Sequence, residues 1–379
     1  MNSNGTGLEL TTQSFVDAGE DAALRHMVKM GANVAWGIAM AIGIPGNLFV
    51  LFAILYFRDM HTISNVYIFN LAVADLLFLA GTPILIVQSL QQSWTFGAAV
   101  CKIYIIGNGI SQFASPAFIA VLSLDRYLAV CRPVTSEWRT SKMALIASVL
   151  AWLTVILEMT PLSLFAKVIT GPDQRSTCML FWGDESIFTK LSSPSLEDEN
   201  QEALLETVME MQRQTLFSRR FFTTYTFALS YLIPLIAVWY FYANIIAKLW
   251  ARRRNLWSRK ESIKRTTTKV SILGLAIVVS YTLCFLPFWA HTWSIEMNME
   301  WTKNQVLKLA VSYAAFALQY LNSAVNPFLY VFLSDAFRKN VMSMVRTGTP
   351  AVVFAKRPSK GSKEGEGAQL VPRTFVTEA

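Results

Sequence analysis

Charge is what this chain has least of. Only 15% of its 379 residues are Asp, Glu, Lys or Arg, while 53% are hydrophobic. Soluble domains carry about a quarter charged residues, so the composition points away from a water-soluble fold. The first 32 residues lack an apolar run of signal-peptide type, and no cleavable leader is expected. No internal repeat is visible, which argues against a secondary transporter built from duplicated halves. Repeated rings of polar or charged residues, as a channel pore needs, are also missing. The net charge of +8 is one-sided in its distribution, and no nucleic-acid partner is implied.

What is there is apolar and long. Seven apolar stretches, near 33–57, 65–90, 100–130, 143–166, 221–249, 270–293 and 305–332, each approach the ~20 residues a helix needs to cross the hydrocarbon core. Trp and Tyr near several ends suit interfacial belts. The fold class is therefore an all-α membrane protein, its first span serving as its own insertion signal. Lys and Arg orient it. Arg58, Arg132, Arg139, Lys142, Lys248, Arg252, Arg253, Arg254, Arg259, Lys260, Lys264, Arg265 and Lys269 follow spans one, three and five, and eight more follow residue 333. The N-terminus is expected outside and the tail inside. Asn4-Gly5-Thr6 is then a glycosylation sequon on the outer side.

Cysteine is scarce, and each of the four has a position. Cys101 and Cys178 both face the oxidising side, which favours a disulfide. Cys131 and Cys284 fall inside or at the reducing side. The tail has none, so it offers no palmitoyl anchor. It is polar enough to be disordered, with Ser343, Thr347, Thr349, Ser359, Ser362, Thr374 and Thr377 as phosphate acceptors. The outer loop from Lys167 to Arg220 carries Asp184, Glu185, Glu197, Asp198, Glu199, Glu202, Glu206 and Glu210, and helix formers between Pro194 and Gln214. It reads either as a solvated insertion or as an attractor for a cationic ligand.

Polar residues inside spans need partners. Asp75 must face the bundle interior, and a cluster with Ser115, Asn322 and Asn326 is expected, able to hold a small cation such as sodium or serving only as helix–helix glue. Ser111, on one face of span three with Ser115, and Ser323 belong to the same expected cluster, and Asn47 lies in span one within Pro45-Gly46-Asn47. Asp125-Arg126-Tyr127 ends the third span, either a helix-end marker or a functional ion pair. Prolines at 83, 116, 161, 234, 287 and 327 are expected to break or kink the spans.

These residues, in this order, resemble the rhodopsin-like family of seven-helix G-protein-coupled receptors. The resemblance rests on Gly46-Asn47, Leu71 to Asp75, Cys101 with Cys178, Asp125-Arg126-Tyr127, Trp152, Pro234 with Tyr242, Cys284-Phe285-Leu286-Pro287, and Asn326-Pro327-Phe328-Leu329-Tyr330. It implies a seven-transmembrane bundle over 33–333, an extracellular segment 1–32, a short cytoplasmic amphipathic helix at 334–345 and a tail at 346–379. Within the family, Cys101 to Tyr104, Ile110 to Ser115 and Tyr225 to Pro234 look like peptide receptors of the somatostatin, opioid and allatostatin C group. Asn108 stands where amine, somatostatin and opioid receptors place an aspartate, so the allatostatin C branch is nearer. Tyr320 replaces the retinal-linking lysine of opsins. Phe285, Pro116 and Ser111 depart from the usual residues, and no acid lies near Thr267 to give Arg126 a second partner.

The resemblance further implies a plasma-membrane receptor, not an enzyme. An extracellular peptide would contact Gln88, Asn108, Gln112, Trp182, Phe288, Trp289, Thr292, Phe316 and Tyr320. A non-peptide ligand is the alternative. Asp125, Arg126, Tyr127, Tyr242, Phe285, Pro287, Pro327 and Tyr330 would form the switch toward a heterotrimeric G protein of inhibitory type. Receptor kinase, arrestin and membrane lipids are the further partners, with no metal beyond the possible sodium ion.

Overall fold

The computed structural model describes residues 5–132, 139–171, 174–181, 218–254 and 261–347, with side chains from residue 21 except at 252–254, 261–268, 345 and 347. Asn4, Trp182, the acids at 184–210 and the tail beyond 347 lie outside the described residues.

Helix α1 (Gly5–Tyr56) continues well beyond the expected start at 33 and carries Pro45 inside it. A 3-10 turn (Arg58–Met60) leads to α2 (Ile63–Leu79), capped by the Thr62 hydroxyl, which accepts from the Asn65 amide. The second span breaks at Ala80-Gly81 and resumes as α3 (Thr82–Gln91), with Pro83 in its first turn, where a proline costs no hydrogen bond. Helices α4 (Gly97–Cys131) and α5 (Ser141–Phe165) follow, then the antiparallel strands β1 (Ala166–Thr170) and β2 (Ser176–Leu180), paired Val168 to Cys178. Helix α6 spans 218–254 through a π-turn at Ala228–Leu232. Helices α7 (Glu261–Glu296), α8 (Gln305–Leu333) and α9 (Asp335–Thr347) complete the described chain.

Among the described residues, six helices are long and apolar enough to cross a membrane. The seventh span, α8, has the length but not the uniform apolarity, because Gln319, Asn322, Ser323 and Asn326 are buried inside the bundle. The outward faces are apolar instead: Leu157 is 72% exposed and Ile236 62%, as expected of side chains that meet lipid. The bundle closes tightly between spans one and seven. A Cβ at Gly43 would lie 2.6 Å from Leu79 Cδ1 and 3.3 Å from the Ala324 Cα.

The prolines break fewer spans than the sequence suggests. Those at 116, 161, 287 and 327 sit inside continuous helices; only spans two and five change helical form. Two of the carbonyls that proline leaves without a partner are served by side chains. Pro327 has no N–H for the Ser323 carbonyl, and Asn47 Nδ2 donates to that oxygen at 3.0 Å. Pro234 has none for Ser230, and the Tyr281 hydroxyl donates there at 2.9 Å.

Candidate functional site

At the end of the bundle that carries the hairpin, a cavity of about 770 Å³ opens between the helices. Cys178 of β2 is joined by a disulfide to Cys101 at the start of α4, and the Ser176 carbonyl accepts from the Trp94 amide at 2.7 Å. The hairpin is thereby stapled over the mouth and supplies Ser176, Thr177 and Leu180 to the wall. Gln88, Asn108, Gln112, Phe288, Trp289, Thr292, Phe316 and Tyr320 all line this one cavity, as the resemblance implies; Trp182 lies outside the described residues. The Tyr320 hydroxyl donates to Asn108 Oδ1 at 3.2 Å and links spans seven and three. Tyr320 stacks on Phe78 at 4.2 Å, and Trp36 packs edge-on against Tyr313 at 5.4 Å. Lys29, Trp36, Tyr104, Phe222, Thr223 and Gln319 also line the wall. Sequence reasoning passed over them, since an amphipathic face alone does not say which neighbour it meets.

Below the cavity, Asp75 is fully buried. It accepts from the Ser323 hydroxyl at 2.7 Å and from Asn326 Nδ2 at 2.8 Å. The expected cluster is therefore partly redrawn. Asn322 does not bond Asp75; its Oδ1 accepts from the Ser280 hydroxyl at 3.3 Å. Ser115, expected as a partner, and Ser111 have buried hydroxyls without a hydrogen-bond partner, as does the Asn326 side-chain oxygen. Ser323 and Asn326, three residues apart, share the face of α8 turned to Asp75, while Asn322 is turned to Ser280 of α7.

At the opposite end, Asp125 is 5% exposed. Arg126 donates to it through Nε at 3.0 Å and through Nη2, and Arg139 donates through Nε at 2.8 Å and Nη2 at 3.2 Å. Ser64 adds a hydroxyl at 3.3 Å. One carboxylate thus holds two guanidiniums. Tyr127 packs against Phe241 with ring centroids 5.4 Å apart. Tyr242 and Tyr330 are buried in the same core as Leu122. Gly274 of α7 makes room for Tyr242: a Cβ there would overlap the Tyr242 hydroxyl. Higher in the core, Phe285 packs on Tyr281 at 4.4 Å, and Pro116 borders a small gap with Ile119, Pro234 and Tyr281. Pro287 lies two residues beyond Phe285 on the same helix, toward the cavity.

Four ion pairs, centred on three carboxylates, were not legible in the sequence. Arg139 reads there as one more inside-facing charge. Glu296, 7% exposed, ends α7 and holds Arg219 at 2.9 Å and Arg220 at 3.9 Å from α6. Lys269, at the other end of α7, meets Asp335 of α9 at 2.6 Å. The Lys269 ammonium holds the Asp335 carboxyl below the usual carboxylate range. Asp335 also pairs with Arg338, and Asn340 Nδ2 anchors α9 to Asp59 at 3.2 Å.

Comparison with known proteins agrees with this architecture. The model of the family "7 transmembrane receptor (rhodopsin family)" matches residues 46–197 and 196–330. Somatostatin receptor type 2 of Mus musculus is 31% identical over 350 residues, covering 91% of this chain and 82% of that receptor. Neuropeptides B/W receptor type 2 of Homo sapiens is 33% identical over 310 residues, covering 81% of this chain and 83% of the relative. Somatostatin receptor type 5 of Rattus norvegicus is 31% identical, with coverages of 81% and 75%. With most of both sequences aligned and the seven spans, disulfide and polar clusters in place, this chain belongs to the rhodopsin family of seven-transmembrane receptors.

Proposed function

We propose that this protein is a plasma-membrane receptor for an extracellular peptide and activates a heterotrimeric G protein of the inhibitory, cAMP-lowering class. One observation carries the reading: a deep cavity at one end of the bundle and a carboxylate-held arginine at the other, joined by the same helices. A volume of about 770 Å³ sits inside the range of ligand pockets, ~300–1,000 Å³. The relatives named above are receptors for somatostatin and for neuropeptides B and W, which favours a peptide over a small lipid.

In this reading the hairpin end faces outward, with the N-terminus and a glycosylated Asn4, and α9 lies along the inner membrane surface. Peptide binding selects the active member of a pre-existing pair of states. Helix α7 pivots about Pro287, Arg126 leaves Asp125, and Tyr242 and Tyr330 fill the space it vacates. The opened cleft takes a helix of the G protein α subunit in a helix-in-groove contact. Ligand and G protein then strengthen each other's binding by reciprocal coupling. Sodium at Asp75, with Ser111, Ser115 and Asn326 as further oxygen donors, favours the inactive member. A receptor kinase and arrestin act on the tail. Expressing the full chain with a cAMP reporter and applying a neuropeptide panel tests the proposal. A fall in cAMP with one peptide is expected; a response to lipids and to no peptide refutes it.

A further inference from the structure

Helix α7 is tied at both ends, and the two ties are unequal. At the end away from the cavity, Lys269 and Asp335 are both about half exposed. At the cavity end, Glu296 is 7% exposed and is held through side chain and backbone alike. Arg219 stands with Nε 2.9 Å from one carboxylate oxygen and donates through Nη2 to the other at 3.2 Å. Arg220 approaches the carboxylate at 3.9 Å and donates through Nη2 to the Glu296 carbonyl at 3.4 Å. Two guanidiniums at the C-terminal end of a helix also meet the negative end of its dipole. None of the three residues lines the cavity, but Thr223 and Thr292, one turn further in on the same two helices, do. The cluster thus joins the ends of spans five and six beside the cavity without forming its wall.

Helix α7 runs unbroken through Pro287, so its two arms move as one lever. Glu296 lies nine residues beyond Pro287 and Lys269 eighteen before it, arms of about 13 and 27 Å at 1.5 Å per residue. A swing of the long arm by about 5 Å, half the width of an incoming helix, moves Glu296 about 2.5 Å the other way. That displacement is nearly the length of the ion pair itself, and both arginines stand on a different helix. We propose that Glu296, held by Arg219 and Arg220, is a positioning residue that keeps α7 in the latched state, a restraint on the short arm that yields when the receptor activates. This rests on the G-protein-receptor reading and adds to it the group that resists the swing. The arginines are already 41% and 60% exposed, so on release they return to water, and no guanidinium is left buried and unpaired.

Two ligand-free readouts on the full chain test this. One is basal activation of an inhibitory G protein in cells, normalised to receptor at the surface. The other is the affinity of the detergent-solubilised receptor for the nucleotide-free heterotrimer. Glu296→Gln is expected to raise basal activation roughly three- to tenfold, the scale of one or two partly exposed ion pairs. Affinity for the heterotrimer should rise by the same factor, because both follow the active fraction while it is small. Arg219→Gln with Arg220→Gln should match Glu296→Gln, and all three together should add nothing further. Replacing the exposed arginines keeps the test open where replacing the buried glutamate misfolds the chain. Basal activation that is unchanged or lowered overturns the inference. So does a rise in activation without the gain in affinity, or effects of the two sides that add. Asp125→Asn, which loosens Arg126, is the control for the reading beneath. A response there alone refutes only the restraint; silence there as well refutes inhibitory coupling and this inference with it.

Discussion

Arg139→Ala is expected to lower basal signalling. Asp125 is 5% exposed and shared between Arg126 and Arg139. If activation draws Arg126 away, Arg139 still supplies two charge-assisted bonds, at 2.8 and 3.2 Å, and the carboxylate stays paired. Without Arg139, the latched state keeps Arg126, but the released state leaves Asp125 with only the Ser64 hydroxyl at 3.3 Å. A hydrogen bond to a charged group contributes about 1.5–3 kcal/mol, and this loss falls on the released state. At tenfold per ~1.4 kcal/mol, the active fraction should drop roughly 10- to 100-fold. Agonist-free G-protein activation, normalised to receptors at the cell surface, measures this. Arg139→Lys should restore part of the signal. Unchanged or raised basal activity in Arg139→Ala would refute the reasoning, because it would mean that Arg139 belongs to the latch itself.

Other perturbations probe separate parts of the bundle. Asn47→Ala removes the donor to the Ser323 carbonyl and should cost about 1–3 kcal/mol, the penalty of a buried unpaired group, seen as a lower melting temperature of the detergent-solubilised protein. Gly274→Ala puts a methyl where the Tyr242 hydroxyl sits, so Tyr242 must move; basal signalling should shift in Gly274→Ala and much less in Gly274→Ala with Tyr242→Phe. Lys269→Ala should change basal activity by a factor of about five or less, since an exposed pair contributes ~0–1 kcal/mol, and the change should vanish at high salt. Asp335 has its carboxyl lowered by Lys269, so that pair is present above the ordinary carboxylate range and is lost only on acidification below it. Basal signalling should therefore not acquire a Lys269-dependent slope near neutral pH.

The sequence carried the bundle because lipid imposes one rule on every span, and seven long apolar stretches satisfy it openly. It also carried the cavity wall, since Asn108, Gln112, Phe288 and Trp289 occupy positions whose neighbours the resemblance supplies. It did not carry pairings decided by rotation and approach. Of the expected cluster, Ser323 and Asn326 bond Asp75 while Ser115 and Asn322 do not, a matter of how α8 is turned against α2. Arg139, Arg219, Arg220 and Lys269 sit near helix ends, where a charge bonded to a partner and one bonded to water look alike in sequence. Lys29 lies in a segment expected to precede the bundle, yet α1 runs through it and brings it to the cavity.

Asn47 and Pro327 form a single functional unit spread over two helices. A proline in a helix ordinarily makes a soft joint, because one carbonyl loses its restraint. Here the amide of another helix grips that carbonyl, so the joint in the seventh span is clamped from the first. Bending at Pro327 must either carry the first helix along or release Asn47. A movement often treated as local to one helix is thereby made a property of the pair, and the first span becomes a brake on the seventh.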